Sequence, residues 1–305
     1  MDDVINNPVV EYQNTEQAEA NKPRAKKQNL VKLAESPSGD GMDLNRPSIV
    51  RQMVAEFIGV FAIIFMAVSA AYWLGGIPMA SQLVYGGIVA VMIVAFATIS
   101  GGQLNPAVTL GLLVGGRLTI VRSIAIIIVQ MVACVLACMM VKSMMGKSEI
   151  VEPNGAKPPT PVQVAVPQIQ LRSVAGQPDM TNRTPRLTNN QAMLLEGMLT
   201  FFWVTAFYGA VLRGKSTAMG GLVIGLYVAA GSLAAVALTG GAMNPLRAFG
   251  PAFVTGTWEQ QAIYWIGPLV GGALAGIVCG WLLFRDETDA IDEDDEDDSI
   301  QSFAR

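Results

Sequence analysis

Five stretches of the chain contain no Asp, Glu, Lys or Arg: residues 57–116, 123–141, 197–212, 216–246 and 260–284. An uncharged apolar run of about 18 or more residues is long enough to cross the hydrocarbon core of a bilayer as a helix. The pattern predicts six spans, roughly at 50–73, 83–99, 120–142, 191–212, 217–238 and 260–284. The alternative is a large buried core. No common soluble fold leaves the sixty residues of 57–116 without a charge. That run is also too long for two spans, since ~20 residues cross the core, and an uncharged remainder begins near Gly102. The run 216–246 likewise leaves a remainder after one span.

The remainders contain an internal repeat. Ser100-Gly101-Gly102-Gln103-Leu104-Asn105-Pro106-Ala107 matches Thr239-Gly240-Gly241-Ala242-Met243-Asn244-Pro245-Leu246 in register, 139 residues apart (244 − 105). Glu56 and Glu196 open spans one and four at a similar offset of 140 (196 − 56). Three spans per half is an odd number, so the second half enters from the opposite side. Inverted repeats of this kind place their site near the midplane, at discontinuous helices. Asn is a preferred N-cap and Pro a preferred first helical residue, so Asn105-Pro106 and Asn244-Pro245 each predict the start of a short helix. The fold class is therefore an all-α membrane protein: six transmembrane helices plus two re-entrant half-helices in an inverted repeat. Residues 48–284 form the membrane domain, with repeat one at 48–142, a long loop at 143–190 and repeat two at 191–284. The ends, 1–47 and 285–305, read as disordered tails.

Composition narrows the functions. Charged residues make up 14% of the chain, against the roughly 25% usual in soluble domains, and hydrophobic residues 52%. There is no His, which removes His-based metal sites and the commonest general base. Cys134, Cys138 and Cys279 lie in apolar runs, against a disulfide framework. No enzyme, cofactor or metal site is expected. The net charge of −4 gives no nucleic-acid signal, and ten acids fall within residues 286–298 alone. The Lys/Arg bias orients the spans. Lys22, Arg24, Lys26, Lys27, Lys32, Arg117, Arg122, Arg213, Lys215 and Arg285 share one side, which places both tails in the cytoplasm. The opposite side carries the 143–190 loop and a glycosylation sequon at Asn182-Arg183-Thr184. A plasma-membrane location is expected.

Opposed half-helices aim two positive dipole ends at the membrane centre, and each Asn adds an amide donor. A small neutral solute with lone pairs can bond both amides. Cations meet two dipoles and Arg247, an intramembrane charge of the kind that faces a water-filled cavity. Donors and helix-dipole barriers are recognised sources of such selectivity. Glu56 and Glu196 read as acceptors for the backbone ahead of each half-helix, in preference to a proton relay.

With these residues in view, the chain resembles the aquaporin (major intrinsic protein) family. The matching segments are AEFIGVF (55–61), SGGQLNPAVTLG (100–111), TGGAMNPLRAFGPAF (239–253) and YWIGPLVGGALAG (264–276), and the resemblance covers about residues 48–284. It implies a pore in each protomer of a homotetramer. The pore boxes would be Asn105, Pro106, Ala107 and Asn244, Pro245, Leu246. The family's narrow filter maps by spacing to Tyr85, Ser232, Gly241 and Arg247. Ser232 stands where water-selective members usually carry His, which implies a wider opening. Ala248, Ala252 and the pair Tyr264-Trp265 instead match water-type members. The combination implies water as partner solute, with ammonia, hydrogen peroxide or glycerol as further candidates, ions and protons excluded, and the lipid bilayer as surroundings.

Two features depart from the family pattern. The second box reads Asn-Pro-Leu, which places Leu246 at the half-helix junction. The 143–190 loop is long and Pro-rich, and reads as a disordered insertion in preference to a cover over the external mouth. Two rival functions remain: a secondary transporter, which also uses inverted repeats and broken helices, and a closed-pore junction protein.

Overall fold

The computed structural model describes residues 48–74, 78–144, 165–167, 187–214 and 216–284. The two tails, Asn182 and most of the 143–190 loop lie outside the described residues. The elements, in chain order, are α1 (Ile49–Trp73), α2 (Pro78–Ser100), α3 (Pro106–Val114) and α4 (Ile120–Met144), then α5 (Asn189–Phe207), α6 (Thr217–Ala235), α7 (Pro245–Thr255) and α8 (Gln261–Ile277). Helix α5 continues as a π-helical turn over Tyr208–Leu212, and α8 as another over Val278–Leu283. No strand occurs among the described residues.

Among the described residues, six segments are long and apolar enough to cross a membrane; α3 and α7 are not among them. Their start points follow local chemistry. The Ser48 hydroxyl accepts from the Arg51 N–H ahead of α1. Thr188 and Gln191 form a reciprocal capping box ahead of α5, and the Ser216 side chain accepts from the Met219 N–H ahead of α6. Such caps satisfy N–H groups that have no partner in the first helical turn. The fifth span stops at Ala235, short of the expected 238, because the chain turns there. The N–H groups of Leu238, Thr239 and Gly240 all return to the Ala235 carbonyl.

Helix pairing repeats the symmetry of the sequence. Helix α1 packs on α4 as α5 packs on α8, and α2 packs on α6 across the centre. Half-helix α3 packs on α8 and half-helix α7 on α4, so each half-helix lies against the last span of the other repeat. Polarity is inverted relative to a soluble protein. Glu56, Asn105, Gln130, Glu196, Thr200 and Ser232 are buried, whereas Val121, Ile128 and Leu226 are exposed on the outer face. That outer face suits lipid, which demands apolar side chains and internally satisfied backbone.

Close helix contact rests on glycine. A Cβ on Gly276 of α8 would overlap the Gly111 carbonyl oxygen of α3, whereas a Cβ on Gly87 of α2 would meet nothing within 4 Å. Small residues let membrane helices approach this way. Gly276→Val is expected to lower stability by about 1–3 kcal/mol or more, the usual cost of overpacking, and Gly87→Val to change it little. Thermal unfolding in detergent measures both. Equal melting temperatures would show that the α3–α8 contact is not tight.

Candidate functional site

The two boxes adopt the same backbone path. Gly101 and Gly102 have φ of 93° and 64°, and Gly240 and Gly241 have 85° and 58°. Glycine takes such angles without steric cost. The next non-glycine departures are Leu104 (φ 53°) and Met243 (φ 52°), immediately before the two asparagines. A side-chain-bearing residue held there costs on the order of 1–3 kcal/mol unless its surroundings enforce it.

The surroundings are the two carboxylates. Glu56 accepts from the Ser100 hydroxyl (2.6 Å), the Gln103 N–H (2.9 Å) and the Leu104 N–H (2.7 Å). Glu196 accepts from the Thr239 hydroxyl (2.6 Å), the Ala242 N–H (3.0 Å) and the Met243 N–H (2.7 Å). Each acid therefore ties down the irregular backbone ahead of its half-helix, where membrane depth leaves no bulk water to do so. The halves are not identical. Glu56 also accepts from the Gln130 amide at 2.9 Å. In the second half the Thr200 hydroxyl instead donates to the Met243 carbonyl at 3.2 Å.

Asn105 and Asn244 cap α3 and α7 with their side-chain oxygens, which accept from the Ala107 N–H (2.9 Å) and the Leu246 N–H (3.0 Å). Their amide nitrogens reach across the repeat. Asn105 Nδ2 donates to the Met243 carbonyl at 3.0 Å, and Asn244 Nδ2 donates to the Leu104 carbonyl at 3.2 Å. The two half-helix N-termini thus meet at one point, each asparagine clamped by its own cap and by the other half's backbone. An amide carries two N–H groups, and this cross-repeat contact uses one of them on each asparagine. Pro106 and Pro245 occupy the first helical turn of α3 and α7, and Ala107 and Leu246 are fully buried behind them. Leu246 packs in the main core, and its carbonyl accepts from the Cys134 thiol at 3.1 Å.

The far ends of the half-helices are also held. The Tyr208 hydroxyl donates to the Gly111 carbonyl (3.2 Å), which also accepts from the Gly115 N–H, and the Trp281 indole donates to the Val114 carbonyl (2.9 Å) at the end of α3. At the end of α7, Gly256 closes the helix in the left-handed region (φ 76°) and Lys142 Nζ donates to the Val254 carbonyl at 3.3 Å.

A second cluster lies around Arg247. Its Nη1 donates to the Gly241 carbonyl at 3.1 Å and to Gln82 Oε1 at 3.5 Å, and its guanidinium carbon lies 4.3 Å from the Tyr85 ring centroid. The Tyr85 hydroxyl donates to the Ala242 carbonyl at 3.2 Å, and the Ser232 hydroxyl to the Gly241 carbonyl at 2.7 Å. Tyr85, Ser232, Gly241 and Arg247 therefore converge. A Cβ on Gly241 would come within 2.7 Å of the Ser232 backbone, so the position has no room for a side chain. The hydrogen of Ser232 is already engaged, which leaves its oxygen able to act only as an acceptor.

Sequence reasoning missed two participants. Gln82 lies one turn before Tyr85 on α2 and holds the guanidinium; its spacing of three residues from Tyr85 was the only signal. Ala165, within the long loop, borders the same gap as Arg247, one with no room for a water molecule. Loop residues Ala165, Val166 and Pro167 are buried, so for these three the loop is packed, contrary to the reading of a disordered insertion.

Comparison with known proteins places these features in context. The family model described as "Major intrinsic protein" matches residues 43–279. Aquaporin TIP4-2 of Zea mays is 33% identical over 270 residues, covering 84% of this chain and 94% of that protein. A probable TIP-type aquaporin of Antirrhinum majus is 34% identical, covering 82% and 93%. Among solved structures, the aquaglyceroporin from Plasmodium falciparum superposes with a TM-score of 0.62 over 78% of this chain and 98% of its own, at 18% identity. That likeness concerns the fold.

Proposed function

The chain belongs to the major intrinsic protein family, a family of membrane channels for water and small solutes, and from that premise we propose a passive water channel that also admits other small neutral solutes and rejects ions and protons. Asn105, Pro106, Ala107, Asn244, Pro245 and Leu246 form its central constriction. Tyr85, Ser232, Gly241 and Arg247 form its outer filter, and Glu56 and Glu196 brace the half-helices. The observation that supports this most is the reciprocal Asn105–Met243 and Asn244–Leu104 clamp, which brings the two half-helix N-termini together.

The proposed mechanism follows from donors and acceptors. A water arriving at the centre accepts from both amides, so its hydrogens point away along the pore. In that orientation it is a poor link in a proton chain, and the two helix-dipole ends repel cations at the same point. At the outer filter Arg247 donates and Ser232 accepts, a pair that suits water and ammonia. The carboxylates of Glu56 and Glu196 are engaged by backbone N–H groups, which disfavours the secondary-transporter reading, since that needs a free coupling-ion site. A homotetramer with one pore per protomer is the assembly we propose from the family resemblance. The TIP-type relatives favour the tonoplast over the plasma membrane expected from the sequence, with both tails on the cytoplasmic side.

Osmotic light scattering of proteoliposomes tests the reading. The wild type is expected to accelerate water flux well above bare liposomes without any ion gradient. Ser232→His is expected to cut glycerol flux by roughly tenfold and water flux by much less, since bulk at a narrow filter excludes the larger solute first. Saturable, ion-dependent uptake with no osmotic acceleration would defeat the channel. Unchanged flux of both solutes in Ser232→His would remove Ser232 from the filter.

A further inference from the structure

Trp203 of α5 is 2% exposed, and its indole Nε1 has no hydrogen-bond partner among the described residues. A buried indole N–H normally finds an acceptor, as Trp281 does on the Val114 carbonyl. Leaving a buried donor unpaired costs about 1–3 kcal/mol. The repeat does not demand an indole here: the corresponding position of α1, 140 residues earlier (203 − 140), is Ile63.

The flanks of α5 locate the side chain. Leu199 lies against α6, where the Tyr227 hydroxyl donates to its carbonyl at 2.7 Å. Val204 and Tyr208 lie against α3: a Cβ on Gly111 would come within 2.9 Å of Val204, and the Tyr208 hydroxyl donates to the Gly111 carbonyl. At about 3.6 residues per turn, Trp203 falls between these two flanks, on the face that carries Glu196 and Thr200. Those two bond the second box through the Met243 N–H and the Met243 carbonyl. Trp203 is one turn, roughly 4.5 Å, past Thr200 toward Arg213. It therefore stands in the wedge between α3 and α6. The half-helices run apart from the asparagine pair, so Trp203, beside α3, and Arg247, on α7, lie on opposite sides of that pair.

On the Trp203 side the walls are apolar. The 139-residue offset of the boxes maps the outer positions Tyr85, Ser232, Gly241 and Arg247 onto Ile224, Ile93, Gly102 and Val108. All four are buried, and none carries a side-chain donor. A solute there gives up hydrogen bonds to water and gains none from these side chains, a loss comparable to leaving a polar group unpaired. We propose that Trp203 is a second solute-selecting residue of the pore, on the cytoplasmic side of the asparagine pair: its N–H donates to the passing solute, and its ring limits that solute's size. The inference rests on the channel reading above and adds to it a checkpoint that the outer filter does not contain. Water, ammonia and hydrogen peroxide each present a lone pair within a small outline. A polyol also presents lone pairs but must clear the ring, so width separates it.

Two measurements test the assignment. In proteoliposomes, Trp203→Leu is expected to raise the glycerol-to-water flux ratio about threefold or more, since pore width decides which solutes pass. The second follows indole N–H exchange in the wild-type protein by NMR. The Trp203 signal, assigned by its loss in Trp203→Phe, is expected to exchange with D2O before the first spectrum is complete. An indole sealed in a helix core stays protected until that core opens. A wild-type flux ratio in a folded Trp203→Leu, or a protected Trp203 N–H, would overturn the proposal. If Trp203→Leu does not fold, the exchange measurement decides by itself. Absence of osmotic water flux in the wild type would instead bring down the channel reading beneath it.

Discussion

Glu56→Ala is expected to abolish osmotic water flux and to lower the melting temperature of the detergent-solubilised protein more than any other single carboxylate change. Glu56 receives four donors: the Ser100 hydroxyl, the Gln103 and Leu104 N–H groups and the Gln130 amide. All four donors sit at buried residues. A buried donor left without a partner costs about 1–3 kcal/mol. Losing several at once approaches the entire 5–15 kcal/mol by which a typical domain is stable. Leu104 would also lose the bond that holds it at φ 53°, and relaxation there moves Asn105 out of its clamp. Glu196→Ala is expected to act in the same direction with a smaller loss, because Glu196 has no counterpart of Gln130. Glu56→Gln is expected to fall in between: its amide oxygen keeps one acceptor, while its NH₂ group confronts a backbone N–H. Thermal unfolding and proteoliposome swelling read all three. A melting temperature for Glu56→Ala within about 2 °C of wild type, the shift that a fraction of a kcal/mol produces, would show that the carboxylate does not brace the box.

Arg247→Ala is the second large effect, and it acts on selectivity instead of stability. The guanidinium fills the space between Tyr85, Gln82 and Gly241. Its removal widens the outer filter and deletes its positive charge. A cation passing about 4 Å from a fixed charge meets roughly 4 kcal/mol of repulsion at an effective dielectric of about 20, which corresponds to on the order of a thousandfold in rate. Arg247→Ala is therefore expected to pass glycerol faster and to admit cation or proton leak that the wild type excludes. Swelling assays and a pH-sensitive dye inside the vesicles measure the two. Arg247→Lys should keep the charge barrier and lose the fork-shaped grip on Gly241, so it separates charge from geometry. A tight, glycerol-excluding Arg247→Ala would place the selectivity step elsewhere along the pore.

Much of the fold was legible along the chain because membrane helices obey a local rule. An uncharged stretch of the right length must be satisfied within itself, and Asn-Pro after a Gly pair is both a cap and a helix start. The start of α3 at Pro106 and of α7 at Pro245 followed from that chemistry, as did the buried positions of Glu56 and Glu196. The ends of spans were less legible. Ala235 ends α6 because the chain must turn back toward the second box, a demand that hydropathy does not encode. The engagement of the Ser232 hydroxyl by the Gly241 carbonyl could not be foreseen from its spacing. The long loop was misjudged at Ala165–Pro167, since its proline content resembles that of unpacked chain and its three packed residues carry no periodic signal.

The sequence by itself determined how many times the chain crosses, that its halves are inverted copies, and which residue types stand at the two boxes and at Arg247. Those facts depend on neighbours a few positions away, through hydropathy, capping and glycine's backbone freedom. Only the tertiary structure decided that Asn105 and Asn244 each bond the other half's carbonyl, that Gln82 holds Arg247, and that Ala165 borders the same gap as Arg247. Those contacts join residues 82 to 165 positions apart. They exist because the described helices pack on glycine-thin surfaces that bring distant backbone within hydrogen-bond range, and no local pattern records where such surfaces meet.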